Sequence, residues 1–220
     1  MASSFRWYYH LNAMSISNRT MNMVAASGLL TSGFLVAVVE TFDRLAFRPS
    51  DTLSLHFQRP GVIVVEALSW IYLLLILIAL PTLHRRQAEK IGGVGLALYL
   101  LLFATLSLTM GSVWAGFMVF PEMAMSAPSL LDSLGQGGGS ALFQTVLVIS
   151  LFGSVFALIG YAVISIRAQV GPRWAWAAVA VGFTLLGFVP VAGPVIAGVG
   201  IGWLGWDLGT TSSESLSNRS

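Results

Sequence analysis

The sequence predicts an all-α fold, a polytopic bundle of transmembrane helices, and three observations predict it. The first is the stretch from Arg59 to Arg86, RPGVIVVEALSWIYLLLILIALPTLHRR, apolar all round and closed by His84, Arg85 and Arg86. Its apolar part, about 23 residues, matches a hydrocarbon core of about 30 Å at about 1.5 Å rise per residue. A helix that is apolar on every face does not lie against a soluble core. The second is composition: 56% hydrophobic, 9% charged, mean hydropathy +0.82. Soluble domains carry about 25% charged residues, so this chain cannot cover itself with a water-facing surface. The third is the recurrence of such apolar runs, with basic residues gathered in alternate connections.

Taken in order, residues 1–21 form a polar segment with aromatic patches and no sustained helical period. The first apolar run, about 22–41, ends in Val39-Glu40-Thr41-Phe42-Asp43. No small-residue cleavage site follows it, so the pattern predicts an uncleaved first span. The connection Phe42–Arg59, broken by Pro49, is long enough for a short interfacial helix. Span two covers about 61–83 and span three about 92–120, with HRRQAEK as the loop between them. A connection with a flexible glycine turn at Gly137-Gly138-Gly139 leads to span four, about 141–166. From Trp174 to Trp206 the chain is apolar for longer than one ordinary span. Pro190 and Pro194 mark a break, because proline removes a backbone donor and clashes with the preceding turn. The expectation is two short helices, about 174–189 and 192–206, giving six spans; one kinked helix, giving five, is the alternative. Residues 207–220 are expected to be a disordered tail.

Orientation follows from Lys and Arg. Arg6, Arg19, Arg85, Arg86, Lys90, Arg167, Arg173 and Arg219 fall on one side of a six-span arrangement, and only Arg44, Arg48 and Arg59 on the other. Both termini are therefore expected in the cytoplasm, in a multi-pass protein of the inner (cytoplasmic) cell membrane whose surroundings are the lipid bilayer.

Several function classes drop out. A net charge of +2 is too small to point to nucleic acid. Without cysteine there is no thiol catalysis or thiolate metal site, and His10, His56 and His84 lie too far apart in sequence to suggest a histidine metal centre. No catalytic residue is expected, because the spans carry neither HExxH nor a Ser–His pair, and no cofactor is implied. Gly200-Ile-Gly202-Trp-Leu-Gly205 matches the letters of a dinucleotide fingerprint but lies inside an apolar span, without the preceding strand that motif needs. Its glycines read instead as a packing face. Gly198 and Gly202 in the last span, and Gly28 and Ser32 in the first, form small-xxx-small pairs that let helix backbones approach. Such pairs serve packing within one chain, a homo-oligomer or a membrane partner equally. Trp174, Trp176, Trp203 and Trp206 read as interfacial anchors.

Glu66 is the acid that lies well inside an apolar span, about six residues in, roughly 8–9 Å below the boundary by helix rise. A charge at that depth is paired, neutral or facing a wet cavity. Trp70 follows one turn on along the same face. Glu40, Trp114, Glu122 and Gln144 belong to the same half of the bundle. Together these six residues make a candidate pocket for a cation, a proton or a small amphipathic ligand; a structural network tying helices together is the other reading.

Three stretches carry a resemblance: VWAGFMVFPEMAMSAPSLLD at the end of span three, RAQVGPRWAWAAVAVG before span five, and GVGIGWLGWDL in the last span. From about Arg44 to Leu208 the chain is similar to a group of small, uncharacterised six-span bacterial and archaeal membrane proteins. That likeness implies the six-span architecture and brings with it no reaction, substrate or ligating residues. The functional expectation is a structural or regulatory membrane protein with a polar pocket at its outer side. A small-solute or proton-coupled transporter using Glu66, and a subunit of a larger membrane complex, are the alternatives.

Overall fold

The computed structural model describes residues 18–46, 51–138, 141–186 and 188–217, and the side chains of these except 141–143 and 211–217. Every regular element in it is helical. Helix α1 (Asn18–Leu35) passes into a π-helical turn at Val36–Glu40 and then into α2 (Thr41–Ala46). Short α3 (Leu53–Phe57) follows, then α4 (Val62–Met118), α5 (Phe120–Ser126), α6 (Pro128–Gly135), α7 (Ala141–Arg167), α8 (Arg173–Leu185) and α9 (Ala192–Ser217). Three stretches, Asn18–Ala46, Val62–Met118 and Gln144–Arg167, are long and apolar enough to cross a membrane. The outward faces agree: Phe34, Phe152, Phe156 and Phe188 are each at least 66% exposed. A continuous apolar exterior of that kind suits lipid rather than water.

Helix α4 is a hairpin. Gly92 breaks it, at φ 59° and ψ −156°, into arms 62–91 and 93–118. The arms lie antiparallel: His84 stacks on Tyr99 with ring centroids 4.2 Å apart, and Trp70 meets Phe117 edge-on at 6.2 Å. The HRRQAEK segment expected as a loop is thus helix. Arg, Gln, Ala, Glu and Lys are good helix formers, and the helical conformation holds until Gly92, which takes the left-handed φ that other residues resist. The connection between span three and span four is likewise largely helical, as α5 and α6.

The chain from 173 to 217 also doubles back. A Cβ on Gly182 would stand 2.2 Å from the Ala197 nitrogen, and one on Gly200 would stand 2.7 Å from the Val179 nitrogen. Two helices therefore pack side by side across the Pro190 break, and a single kinked helix does not fit. The tail expected to lack structure beyond 206 continues α9 to Ser217. Asp207 is tied to Arg86 at 2.7 Å, and the Thr210 hydroxyl donates to the Trp206 carbonyl at 3.2 Å, so the turn after Trp206 is held.

The small-residue faces of α1 and α9 meet each other. A Cβ on Gly33 would lie 2.4 Å from the Gly198 carbonyl oxygen and 2.6 Å from the Gly202 nitrogen, and one on Gly205 would lie 2.8 Å from the Ala26 oxygen. Gly28 and Ser32 face α4 instead: a Gly28 Cβ would lie 3.5 Å from the Leu75 oxygen, and the buried Ser32 hydroxyl reaches the Gly28 and Tyr72 carbonyls at 2.7 and 3.2 Å. These glycines work within the chain. The core they close, including Leu29, Leu80, Leu102, Tyr161, Trp176 and Ile201, draws on α1, both arms of α4, α7, α8 and α9. Trp176, expected as an interfacial anchor, belongs to this core: it is 3% exposed, packs edge-on against Tyr161 at 5.6 Å and donates its indole N–H to the Val170 carbonyl at 3.1 Å.

Candidate functional site

The polar side chains collect at the two ends of the bundle. At one end the π-helical turn supplies Glu40. A π turn adds a residue to the local repeat and re-aims the side chains after it, and such turns occur often at functional sites. Here Glu40 receives a hydrogen bond from the Tyr72 hydroxyl. Tyr72 is itself placed by Ser32, whose hydroxyl bonds its backbone carbonyl.

Glu66 lies one and a half turns before Tyr72 on the same arm of α4. Its carboxyl packs on Gly116 of the opposite arm, where an added Cβ would stand 2.7 Å from Oε2. The absence of a side chain at Gly116 is what makes room for it. Among the described residues Glu66 has neither a hydrogen bond nor an ion pair, although Asp43 and Glu40 are close enough to act on it electrostatically. Trp70, against Phe117, forms the adjoining aromatic wall.

The other candidates lie elsewhere. Trp114 is 46% exposed on the outer surface. Glu122 is exposed in the first turn of α5. Gln144 donates to the Leu134 carbonyl at 3.4 Å, joining α7 to α6. Of the six, the structure gathers Glu40, Glu66 and Trp70, and adds Tyr72 and Gly116, which sequence pattern alone passes over. Tyr72 lies six residues beyond Glu66, and Gly116 becomes its neighbour only when the hairpin closes.

A small cap covers this end. Phe57, Val62, Ala124 and Leu131 form a satellite core under α3, α5 and α6. The Asp132 carboxylate accepts from the Ser54 amide at 2.8 Å and the Ser54 hydroxyl at 2.9 Å, and these bonds hold its carboxyl below the usual range. Gln58 donates to the Ala124 carbonyl at 2.8 Å, and Arg59 pairs with Asp51 at 2.5 Å. His56 approaches Asp43 at 3.9 Å; burial pushes its imidazole below the ordinary value, against the pull of Asp43.

The opposite end is built on His84, to which sequence pattern assigned no role. Its ring stacks on Tyr99, and its Nδ1 lies 3.3 Å from the hydroxyl of the buried Tyr161. Beside it the Ser165 hydroxyl donates to Gln87 at 2.6 Å, and Arg85 donates to Asn18 at 2.7 Å. Between the two ends the buried hydroxyls of Thr105 and Ser150 are spent on backbone carbonyls of their own helices, at 2.9 Å each, and a cavity of about 50 Å³ is lined by apolar residues such as Leu29, Leu80, Leu106, Phe183 and Ile201. Its polar neighbour Ser154 spends its hydroxyl on the Ser150 carbonyl. Among the described residues no three His, Cys, Asp or Glu side chains converge as a metal site.

Comparison of the chain with protein-family models, with curated proteins and with solved structures finds no match.

Proposed function

We propose that the chain is a six-crossing protein of the cytoplasmic membrane, with both ends on its basic side, and that it serves a regulatory or structural role through a polar site in its outer half that binds a singly charged cation. The observation that carries this reading is Glu66, a carboxyl set between two helical arms beside the Glu40–Tyr72 pair, with no partner among the described residues. An acid at that depth that served only to tie helices would be expected to hold one. One available carboxyl with an aromatic wall suits a proton, an alkali cation or a small organic ammonium; a divalent ion would call for more oxygen ligands.

The interior hydroxyls of Ser32, Thr105 and Ser150 are spent on backbone carbonyls, which supports a site that ends at one face. A carrier would need polar groups near the midplane. The antiparallel pairs 62–91 with 93–118 and 173–185 with 192–217, and the surplus of Lys and Arg at the His84 end, support six crossings. The mutual packing of Gly33, Gly198 and Gly205 across α1 and α9 counts against those glycines serving an oligomer or a larger complex.

Infrared difference spectroscopy tests the site. A carboxyl band that responds to sodium, potassium, tetramethylammonium or pH, and disappears in Glu66→Gln, is expected. A band indifferent to all four, with Glu66→Gln losing only thermal stability, would return Glu66 to a purely structural role.

A further inference from the structure

The turn from α7 to α8 places two tryptophans on opposite sides of one helix. Positions two apart on a helix point about 200° from each other. Trp176, buried, pins the turn from inside through its bond to Val170. Trp174 therefore projects outward and is 77% exposed. Beside it runs an open groove of about 660 Å³ lined by Ile166, Pro172, Arg173, Trp174 and Ala177. The lining is an apolar strip with one guanidinium at its head. Arg167, the last residue of α7, adds a second exposed guanidinium at the same turn. Among the described residues neither arginine has an acidic partner. The Asp207 carboxylate approaches the turn at Gly171, on the side of the buried Trp176, and is held by Arg86 at 2.7 Å.

From this arrangement we infer that the groove at Arg173 and Trp174 is a binding site for an anionic phospholipid. The headgroup phosphate lies between the guanidinium groups of Arg173 and Arg167. The indole of Trp174 sits at the headgroup level, as amphipathic rings do, and one acyl chain runs along Ile166 and Ala177. Charge complementarity selects the occupant: the apolar strip suits any acyl chain, but two arginines without a protein counter-charge select a negative headgroup. Arginine also matches phosphate in a bidentate manner that lysine does not. A protein partner would have to bring both an acid and an apolar ridge; a lipid has both.

Native mass spectrometry of the full chain released from mixed micelles tests this, with phosphatidylglycerol against phosphatidylcholine and glycerol phosphate as the soluble headgroup control. Retention of one phosphatidylglycerol is expected, in preference to phosphatidylcholine. Each arginine contributes about fivefold at a membrane surface, so retention should fall roughly 25-fold in Arg167→Gln/Arg173→Gln. Lys90→Gln, at the same end but away from the groove, should retain the lipid as the wild type does. Equal retention of the two lipids, or an undiminished preference in the double variant, would overturn the proposal. Equal loss in Lys90→Gln would reduce it to general attraction by a basic face. Tight retention of glycerol phosphate alone would replace the lipid with a free phosphate ester. Both arginines are exposed, so folding should survive, and a wild-type melting profile of the double variant confirms that the readout reports binding.

Discussion

Replacing Gly33 by alanine should cost far more than replacing Gly202, although both lie at the contact of α1 with α9. A Cβ at Gly33 would stand 2.4 Å from the Gly198 carbonyl oxygen, about 1 Å short of ordinary contact at 3.4 Å, and 2.9 Å from the Gly202 Cα. The obstacle is backbone on a packed helix, which cannot rotate away as a side chain can. The two helices must separate by most of that ångström, and the contacts along both faces loosen with them. Overpacking of this kind costs about 1–3 kcal/mol. At roughly 2–4 °C per kcal/mol for a chain of this size, the midpoint should fall by about 2–12 °C. A Cβ at Gly202 would meet nothing within 4 Å, so Gly202→Ala should stay within about 0.5 kcal/mol of the wild type. Gly198→Ala, whose Cβ would stand 2.3 Å from the Gly33 oxygen, should behave as Gly33→Ala does. The double alanine variant should cost less than the two single costs together, because one separation of the helices relieves both clashes. Thermal unfolding in a single detergent, followed by intrinsic tryptophan fluorescence, measures all four. Equal midpoints for Gly33→Ala and Gly202→Ala would refute the packing of α1 on α9 as described.

The polar ends yield four further outcomes. Tyr72→Phe strands the Glu40 carboxyl and should lower unfolding stability by about 1–3 kcal/mol, while Tyr72→Phe/Glu40→Leu should recover part of the loss; a double variant less stable than Tyr72→Phe would contradict the pairing. His56 sits below its ordinary value of 6.5, so the unfolded chain takes up the proton first as pH falls. Stability should be complete above about pH 6.5 and decline below it toward the folded value. His56→Gln should flatten the melting profile between pH 7 and 5, and an unchanged slope would count against the buried neutral imidazole. Asp132 sits below 3.8, so its cap on Ser54 should persist to about pH 4 and fail only in stronger acid; amide exchange of Ser54 across that range reads it. Arg86→Asp/Asp207→Arg should restore whatever each single reversal loses. That loss should stay within about 1 kcal/mol, because both side chains keep partial access to solvent.

The all-helical class and the membrane setting were legible in the chain because they depend on composition and on run length, which are local quantities. Three stretches in the structure are long and apolar enough to cross a bilayer, as hydropathy requires. The break at Pro190 was legible for the same reason, since a proline announces itself wherever it stands. Glu66 stood out because one acid in an apolar run is costly whatever surrounds it. The remaining features needed the tertiary structure. HRRQAEK reads as a loop by charge, yet it is helix, since nothing before Gly92 interrupts the backbone. Whether Gly28, Gly198 and Gly202 pack inside the chain or between chains depends on which helices meet, and periodicity along one helix carries no such information. The π turn at Val36–Glu40 leaves no mark in residue type. Gly116 and Tyr99 become neighbours of Glu66 and His84 only once a hairpin of 57 residues closes. By itself the sequence determined what the chain dissolves in and where it can bend. The tertiary structure decided which side chains share a site, because that depends on distances between residues far apart along the chain.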